Sequence, residues 1–170
     1  MSGIYDGVIF KFFYFFMKYF ISSNKKKELQ QKLKDLTKKK AEVLEKLRES
    51  FGNFWKLGSL ENEYQDLREE AERIENEISK IKYILENTEI IKKKKTFKKV
   101  EIGCKVSLKS KNKIIKLSIV GTLEADPLNG KISNESPLGK LLLGKKVGDK
   151  INLKKGKSSQ VFEILEIKSN

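Results

Sequence analysis

The stretch ENEYQDLREEAERIENEISKIKYILEN, residues 61–87, places Tyr64, Leu67, Ala71, Ile74, Ile78, Ile81 and Leu85 at spacings of three and four without a break. That spacing lays the apolar side chains along one stripe of an α-helix, and no Pro or Gly interrupts it. An amphipathic stripe needs a partner. Upstream, residues 24–50 also lack Pro and Gly, and Leu29, Leu33, Leu36, Val43 and Leu47 recur at three, four and seven, with Lys40 in the one polar gap. Gly52 and Gly58 bracket FGNFWKLG between the two runs and predict a break there. Two such helices joined by a short connection are expected to fold back as an antiparallel coiled-coil hairpin. About 27 residues at 1.5 Å each make a rod of roughly 40 Å.

Charge supports the pairing. Residues 25–50 hold ten basic and five acidic residues, and residues 60–89 hold four basic and ten acidic, so the two helices attract. Most of these charges read as solvated helix surface and cross-hairpin pairs, each worth about 0.2–0.5 kcal/mol. Glu61, Glu63 and Asp66 stand apart because they cluster at the connecting end, where pairing does not require them.

Ahead of the helices, residues 8–21 read VIFKFFYFFMKYFI, apolar except for Lys11 and Lys18. The run is short and interrupted for a bilayer span, and lacks the basic start and small-residue cleavage site of a secretory signal. Residues 1–16 are read as an extra apolar segment from a misplaced start, with Met17 the initiator and Ser22, Ser23 or Asn24 the first helix cap. The hairpin domain is thus expected over 17–90.

Residues 92–99 insert six lysines and end the heptads, so 91–97 is read as a basic linker. Beyond it the period falls to two. VEIGCKVSLKS, KIIKLSIVG, DKINL and SQVFEILEI alternate as strands. Asp126-Pro127 and Asn129-Gly130 mark turns, and Ser136-Pro137 predicts an N-cap and first residue of a short helix closed by Gly144. Residues 98–170 are therefore expected to form a small β-rich domain with one short helix, which makes the whole chain α+β.

The chain of 170 residues carries 37 Lys and Arg against 23 Asp and Glu, a net charge of +14, and 35% of its residues are charged. Residues 92–170 alone hold 20 Lys and seven acids. That surplus favours polyanionic partners, and without aromatic interleaving it points to phosphate backbone rather than stacked bases. The sequence has no His and a single Cys, Cys104, which removes Cys/His zinc sites, His-based triads, redox CxxC pairs and internal disulfides. A lone thiol fits a reducing cytoplasm, and Cys104 is read as a buried strand residue. LGKLLLGKKVGD at 138–149 lacks the spacing of a phosphate loop, with Lys146 where Ser or Thr is needed. A self-contained enzyme is not expected.

GTLEADPLNGKISNESPLGKLLLGKKVGDKINL, residues 121–153, resembles the Gre family of bacterial transcription elongation factors, whose pattern "G..EAD...GKIS..SP.G.ALLGK..GD" it follows nearly position for position. EYQDLREE at 63–70 resembles the start of the family's second helix, and the resemblance covers residues 17–168. It implies an FKBP-like C-terminal domain that docks on RNA polymerase, without isomerase activity. It further implies a coiled coil entering the secondary channel, where an acidic tip helps hold a Mg²⁺ of the polymerase, so that the polymerase cleaves a backtracked transcript. No cofactor of its own is implied. The partners are then RNA polymerase and the nascent RNA and DNA of the elongation complex, with the chain a cytoplasmic monomer lacking stable membrane association. Partner contacts map by the motif onto Asp126, Pro127, Asn129, Gly130, Ser136, Pro137 and Lys140.

The tip departs from the family. There the pattern is G-D-L-S-E-N-A-E-Y, with the Asp and the first Glu assisting the metal; here residues 58–64 read GSLENEY. Ser59 stands in the place of the Asp, and two residues are missing, which turns the following helix face by roughly 200°. Glu61 is then the retained metal-assisting acid, with Glu63 beside it and Asp66 as a substitute. Phe51, Phe54 and Trp55 read as a hydrophobic plug at the hairpin end. Three alternatives stay open: a polymerase-binding regulator without cleavage stimulation, a basic nucleic-acid-binding protein, and a membrane-tethered coiled coil using residues 4–21.

Overall fold

The computed structural model describes residues 18–57, 61–92, 94–111, 113–155 and 158–169. The expectations for residues 1–16 and Met17, for Gly58 to Leu60, and for the side chains of Phe54, Trp55 and Glu61 lie outside what is described. The chain divides into two compact units. One runs from Lys26 to Asn87; the other takes in the chain up to Lys25 and from Thr88 onward.

The first unit is built from the long helix α1, Ser23–Leu57, and from α2, Glu61–Glu86. Val43, Ile74 and Ile78 are buried together, with Leu33, Leu36, Leu67 and Ala71 packed against them, so the stripes read from sequence meet each other. Ion pairs fix the direction: Lys32 reaches Glu77 at 2.5 Å and Lys39 reaches Glu70 at 2.7 Å. As one chain position rises the other falls, so the helices are antiparallel. Lys40, the polar gap in the first stripe, bonds Glu75 at 2.5 Å. Asn87 closes α2, its backbone N–H and side-chain amide both donating to the Tyr83 carbonyl.

One sequence expectation needs correction here. The helix α1 does not break at Gly52 but continues to Leu57. A lone interior Gly costs only about 1 kcal/mol against Ala. Continuing the helix sets the Phe51 ring 5.9 Å from Tyr64 of α2, tilted at 45°. Leu85, placed on the α2 stripe, is half-buried, while its neighbour Ile84 is buried.

The second unit holds a five-stranded sheet in the order β5-β4-β3-β7-β6. Its strands are β3 (Cys104–Ser110), β4 (Lys113–Val120), β5 (Lys131–Ser133), β6 (Lys150–Lys155) and β7 (Ser158–Ser169). The β3–β4, β3–β7 and β6–β7 pairs are antiparallel; β4–β5 is parallel. Alternation works as expected: Cys104, Val106 and Leu108 face a core shared with Ile119, Ile151, Phe162 and Ile164. A register shift opposite Ser107 and Leu108 lets β7 curl across β3. Burial pushes the Cys104 thiol up from its ordinary value, in keeping with a packed strand residue.

The short helix α3, Pro137–Leu142, begins as the Ser136-Pro137 pair predicts. The Ser136 hydroxyl accepts from the Gly139 N–H at 3.0 Å, and Leu142 drops fully into the core. Two further strands escape sequence reading. The strands β1 (Tyr19–Ile21) and β2 (Thr88–Ile90) pair in parallel, and the Ile91 N–H extends the ladder by donating to Ile21. Parallel neighbours need a long crossover, and here the connection is α1 and α2.

Candidate docking face and helical connection

The residues from Gly121 to Lys140 fold largely by bonds among themselves. Asp126 caps a single turn of 3-10 helix, Pro127–Asn129, with its carboxylate accepting from the Asn129 backbone N–H at 3.4 Å and from the Asn129 amide at 2.6 Å. That side-chain bond, followed by the backbone bond and the charge of Lys131, holds the Asp126 carboxyl below the usual carboxylate range. Gly130 ends the turn in the left-handed region at φ 69°, which a β-carbon would resist, and its carbonyl accepts from Ser118 at 2.8 Å. Pro127, Ser136 and Pro137 converge on a cleft of about 370 Å³, lined also by Ala125, Ile132 and Leu138. Lys140 is exposed in the last turn of α3.

Of the seven residues assigned to partner contact, Pro127, Ser136 and Pro137 share this cleft. Asp126, Asn129 and Gly130 build the turn beside it. Two residues that sequence reasoning passed over matter as much. Leu128, in the middle of the turn, is 98% exposed. The signal was present, since an apolar residue between Pro127 and Asn129 has no core to serve. Glu124 turns inward: its carboxylate accepts from the Ser22 N–H at 2.7 Å and from the Ser22 hydroxyl at 2.6 Å. The same hydroxyl accepts from the Lys25 N–H at 3.1 Å, which makes Ser22 the N-cap of α1.

At the helical connection, Glu61 is the first residue of α2. Glu63 and Asp66 are exposed on the first turns of that helix, and Asp66 lines a shallow cleft with Lys39, Glu70 and Arg73. Among the described residues, no group of three or more His, Cys, Asp or Glu side chains is placed to hold a metal ion. Divalent magnesium wants six oxygen ligands. The described acids on the first turns of α2, Glu63 and Asp66, do not by themselves make up such a set. No described helix is long and apolar enough to cross a membrane.

Comparison with known proteins bears on all of this. Residues 93–169 match the family model described as "Transcription elongation factor, GreA/GreB, C-term". The transcription elongation factor GreA of Thermoanaerobacter pseudethanolicus is 39% identical over 148 residues, spanning 84% of this chain and 92% of that protein. GreA of Clostridium acetobutylicum is 37% identical over 157 residues, spanning 89% and 97%. Among solved structures, the GreA factor homolog Gfh1 of Thermus thermophilus matches with a TM-score of 0.40 at 24% identity, over 89% of this chain and 99% of that one. On the extent of the GreA matches, the chain belongs to the GreA/GreB family of transcription elongation factors.

Proposed function

We propose that this chain binds RNA polymerase through the face around Pro127, Leu128, Ser136, Pro137 and Lys140 and acts on stalled, backtracked elongation complexes. In this reading the paired helices of the unit Lys26–Asn87 are a coiled-coil arm, and the unit that holds the sheet is an FKBP-like docking domain. The single observation that carries the reading is a fully exposed leucine, Leu128, beside an apolar cleft. An apolar side chain left wholly in water next to a concave apolar surface is what a protein partner covers. Capping at Asp126 and Ser136 fixes the shape of that surface before any partner arrives, which lowers the ordering cost of binding.

The arm enters the polymerase's secondary channel, and the acids at the start of α2 act there. Glu61, with Glu63 next to it, contributes carboxylate oxygen to a magnesium ion whose other ligands belong to the polymerase. Such an ion stabilises charge developing on the scissile phosphate. The chain itself is then an activator, with the hydrolytic centre belonging to its partner. A second reading, channel occupancy without cleavage stimulation, is favoured by Ser59 in place of an acid and by the shortened connection.

The test is paired. Leu128→Asp should weaken binding to core polymerase by at least tenfold while leaving the thermal melt unchanged; unaltered binding would overturn the docking face. With backtracked complexes, transcript shortening above the intrinsic rate that disappears in Glu61→Ala supports assisted cleavage. No shortening with the parent chain selects the second reading.

A further inference from the structure

The two units use their lysines differently. In the helical unit Lys32, Lys39 and Lys40 each hold a glutamate across the pair. At one end of the sheet, Lys109, Lys111, Lys113 and Lys150 line a cleft of about 980 Å³, and none of them has a carboxylate within ion-pair distance among the described residues. Among the described residues that line it, the one acid is Glu163. It stands in register with Lys109 on one side and Lys150 on the other, leaving four cations around one anion.

This concentration carries a cost. Lys111 occupies the β3–β4 turn at φ 52°, the left-handed region, which an L-residue other than Gly, Asn or Asp adopts only with backbone strain. Lys109, Lys111 and Lys113 also crowd one turn, where like charges repel. Nothing in the fold requires cations there, since the side chains lie outside the apolar core.

We propose that this cleft is a binding surface for the phosphate backbone of duplex DNA, lying at the sheet end that holds the β3–β4 turn. Adjacent strands lie about 4.8 Å apart, so Lys109 on β3 and Lys150 on β6, with β7 between them, are separated by roughly 10 Å. That matches the scale of the major groove, about 12 Å between backbones, and the flexible stems of Lys111 and Lys113 widen the reach. Among the described lining residues there is no aromatic ring on which an unpaired base could stack. The surface therefore suits a regular, paired backbone and reads no sequence. It uses none of the residues assigned to polymerase docking, and it stands or falls separately from that assignment.

The experiment uses the full chain and a labelled 30-base-pair duplex, without polymerase, with anisotropy followed between 50 and 200 mM KCl. The cleft variant is Lys109→Gln, Lys111→Gln, Lys113→Gln and Lys150→Gln combined. A control of equal charge loss carries Lys27→Gln, Lys34→Gln, Lys46→Gln and Lys80→Gln, all exposed on the helices. Circular dichroism and a thermal melt establish that both are folded. With about 0.9 counterions released per phosphate contact, four contacts contribute about 3.6 to the slope of log K against log salt. The parent should thus lose about a hundredfold more affinity over that range than the cleft variant. At 50 mM salt the cleft variant should bind at least tenfold more weakly than the parent, and the control within about threefold of it. Equal losses in both variants would reduce the effect to bulk charge and overturn the proposal. So would tighter binding of a single strand of the same length, or displacement of the duplex by polyglutamate at matched charge, which would assign the cleft to an acidic protein surface.

Discussion

Replacing Glu124 by alanine removes the acceptor of two bonds at once, from the Ser22 N–H at 2.7 Å and the Ser22 hydroxyl at 2.6 Å. Both are charge-assisted, a class worth about 1.5–3 kcal/mol each when buried. Glu124 is half-buried, so solvent screening brings the pair down to about 2–3 kcal/mol in total. The loss propagates. Once the Ser22 hydroxyl is free to rotate, its acceptance from the Lys25 N–H at 3.1 Å is no longer aligned by a second partner. The first turn of α1 loses part of its cap, which is worth about 1 kcal/mol more.

For a chain of this length, each kcal/mol moves the melting midpoint by about 2–4 °C, so Glu124→Ala, at about 3–4 kcal/mol in all, should lower it by about 6–16 °C. Hydrogen exchange locates the effect: amides of β1 and of the first turn of α1 should exchange faster, while those of β3 and β7 hardly change. A double cycle with Ser22→Ala separates this bond pair from general loss of packing. Ser22→Ala in the Glu124→Ala background should cost clearly less than in the parent, by at least 1 kcal/mol. Additive costs, or an unchanged melt in Glu124→Ala, would refute the idea that this carboxylate fastens the start of the helix.

Other outcomes follow from single contacts. In Gly121→Ala the new β-carbon would lie 1.5 Å from the Phe20 carbonyl oxygen; because backbone cannot swing aside like a side chain, about 3 kcal/mol or more should be lost, read by chemical denaturation. Ser136→Ala should cost about 1 kcal/mol in the same measurement, through the cap on the Gly139 N–H. Ser50→Ala should raise stability by about 1 kcal/mol, because the Ser50 hydroxyl is buried with no hydrogen-bond partner among the described residues and alanine is the better helix former. Glu70 and Glu75 have carboxyls held below the usual range by hydrogen bonds from Lys39 and Lys40. A lowered carboxyl stabilises the fold above its unfolded value and loses that contribution as pH falls through its folded value. The melting midpoint should therefore be level near neutrality and decline below about pH 4.3, and Glu70→Gln with Glu75→Gln should make that acid decline shallower.

Sequence reading succeeded where the determinants are neighbours in the chain. The helical stripes declare themselves within each helix, and complementary charge anticipates their pairing. Ser136 and Pro137 specify the start of α3 with bonds reaching only three residues, and Asn129-Gly130 specifies its turn in the same way. What stayed hidden depends on distant partners. The strands β1 and β2 are three residues each, too short for any period to show, and their pairing waits on both helices to bring them together. The cap at Ser22 was among three candidates, and what selects it is Glu124, a residue 102 positions away. Gly52 misleads because glycine marks a helix end only when nothing beyond it continues to pack, and here Phe51 meets Tyr64 across the helical pair.

A motif of the kind found at residues 121–153 invites the assumption that its residues all serve one purpose. Their bonds divide them. Gly121 leaves room for the Phe20 carbonyl, Glu124 holds Ser22, and Gly139 approaches the Ser133 carbonyl so closely that a β-carbon would lie 2.0 Å from it. Asp126 and Ser136 spend their polar atoms on the local backbone, and the Asn129 amide donates to the Asp126 carboxylate. Pro127, Leu128, Pro137 and Lys140 face outward with their side chains in none of these bonds. Substitutions in the first two groups should therefore act on stability, and on binding only through it. Substitutions at the outward residues should change binding with the melt unmoved, because an exposed side chain that supports nothing inside can contribute only to what it touches outside.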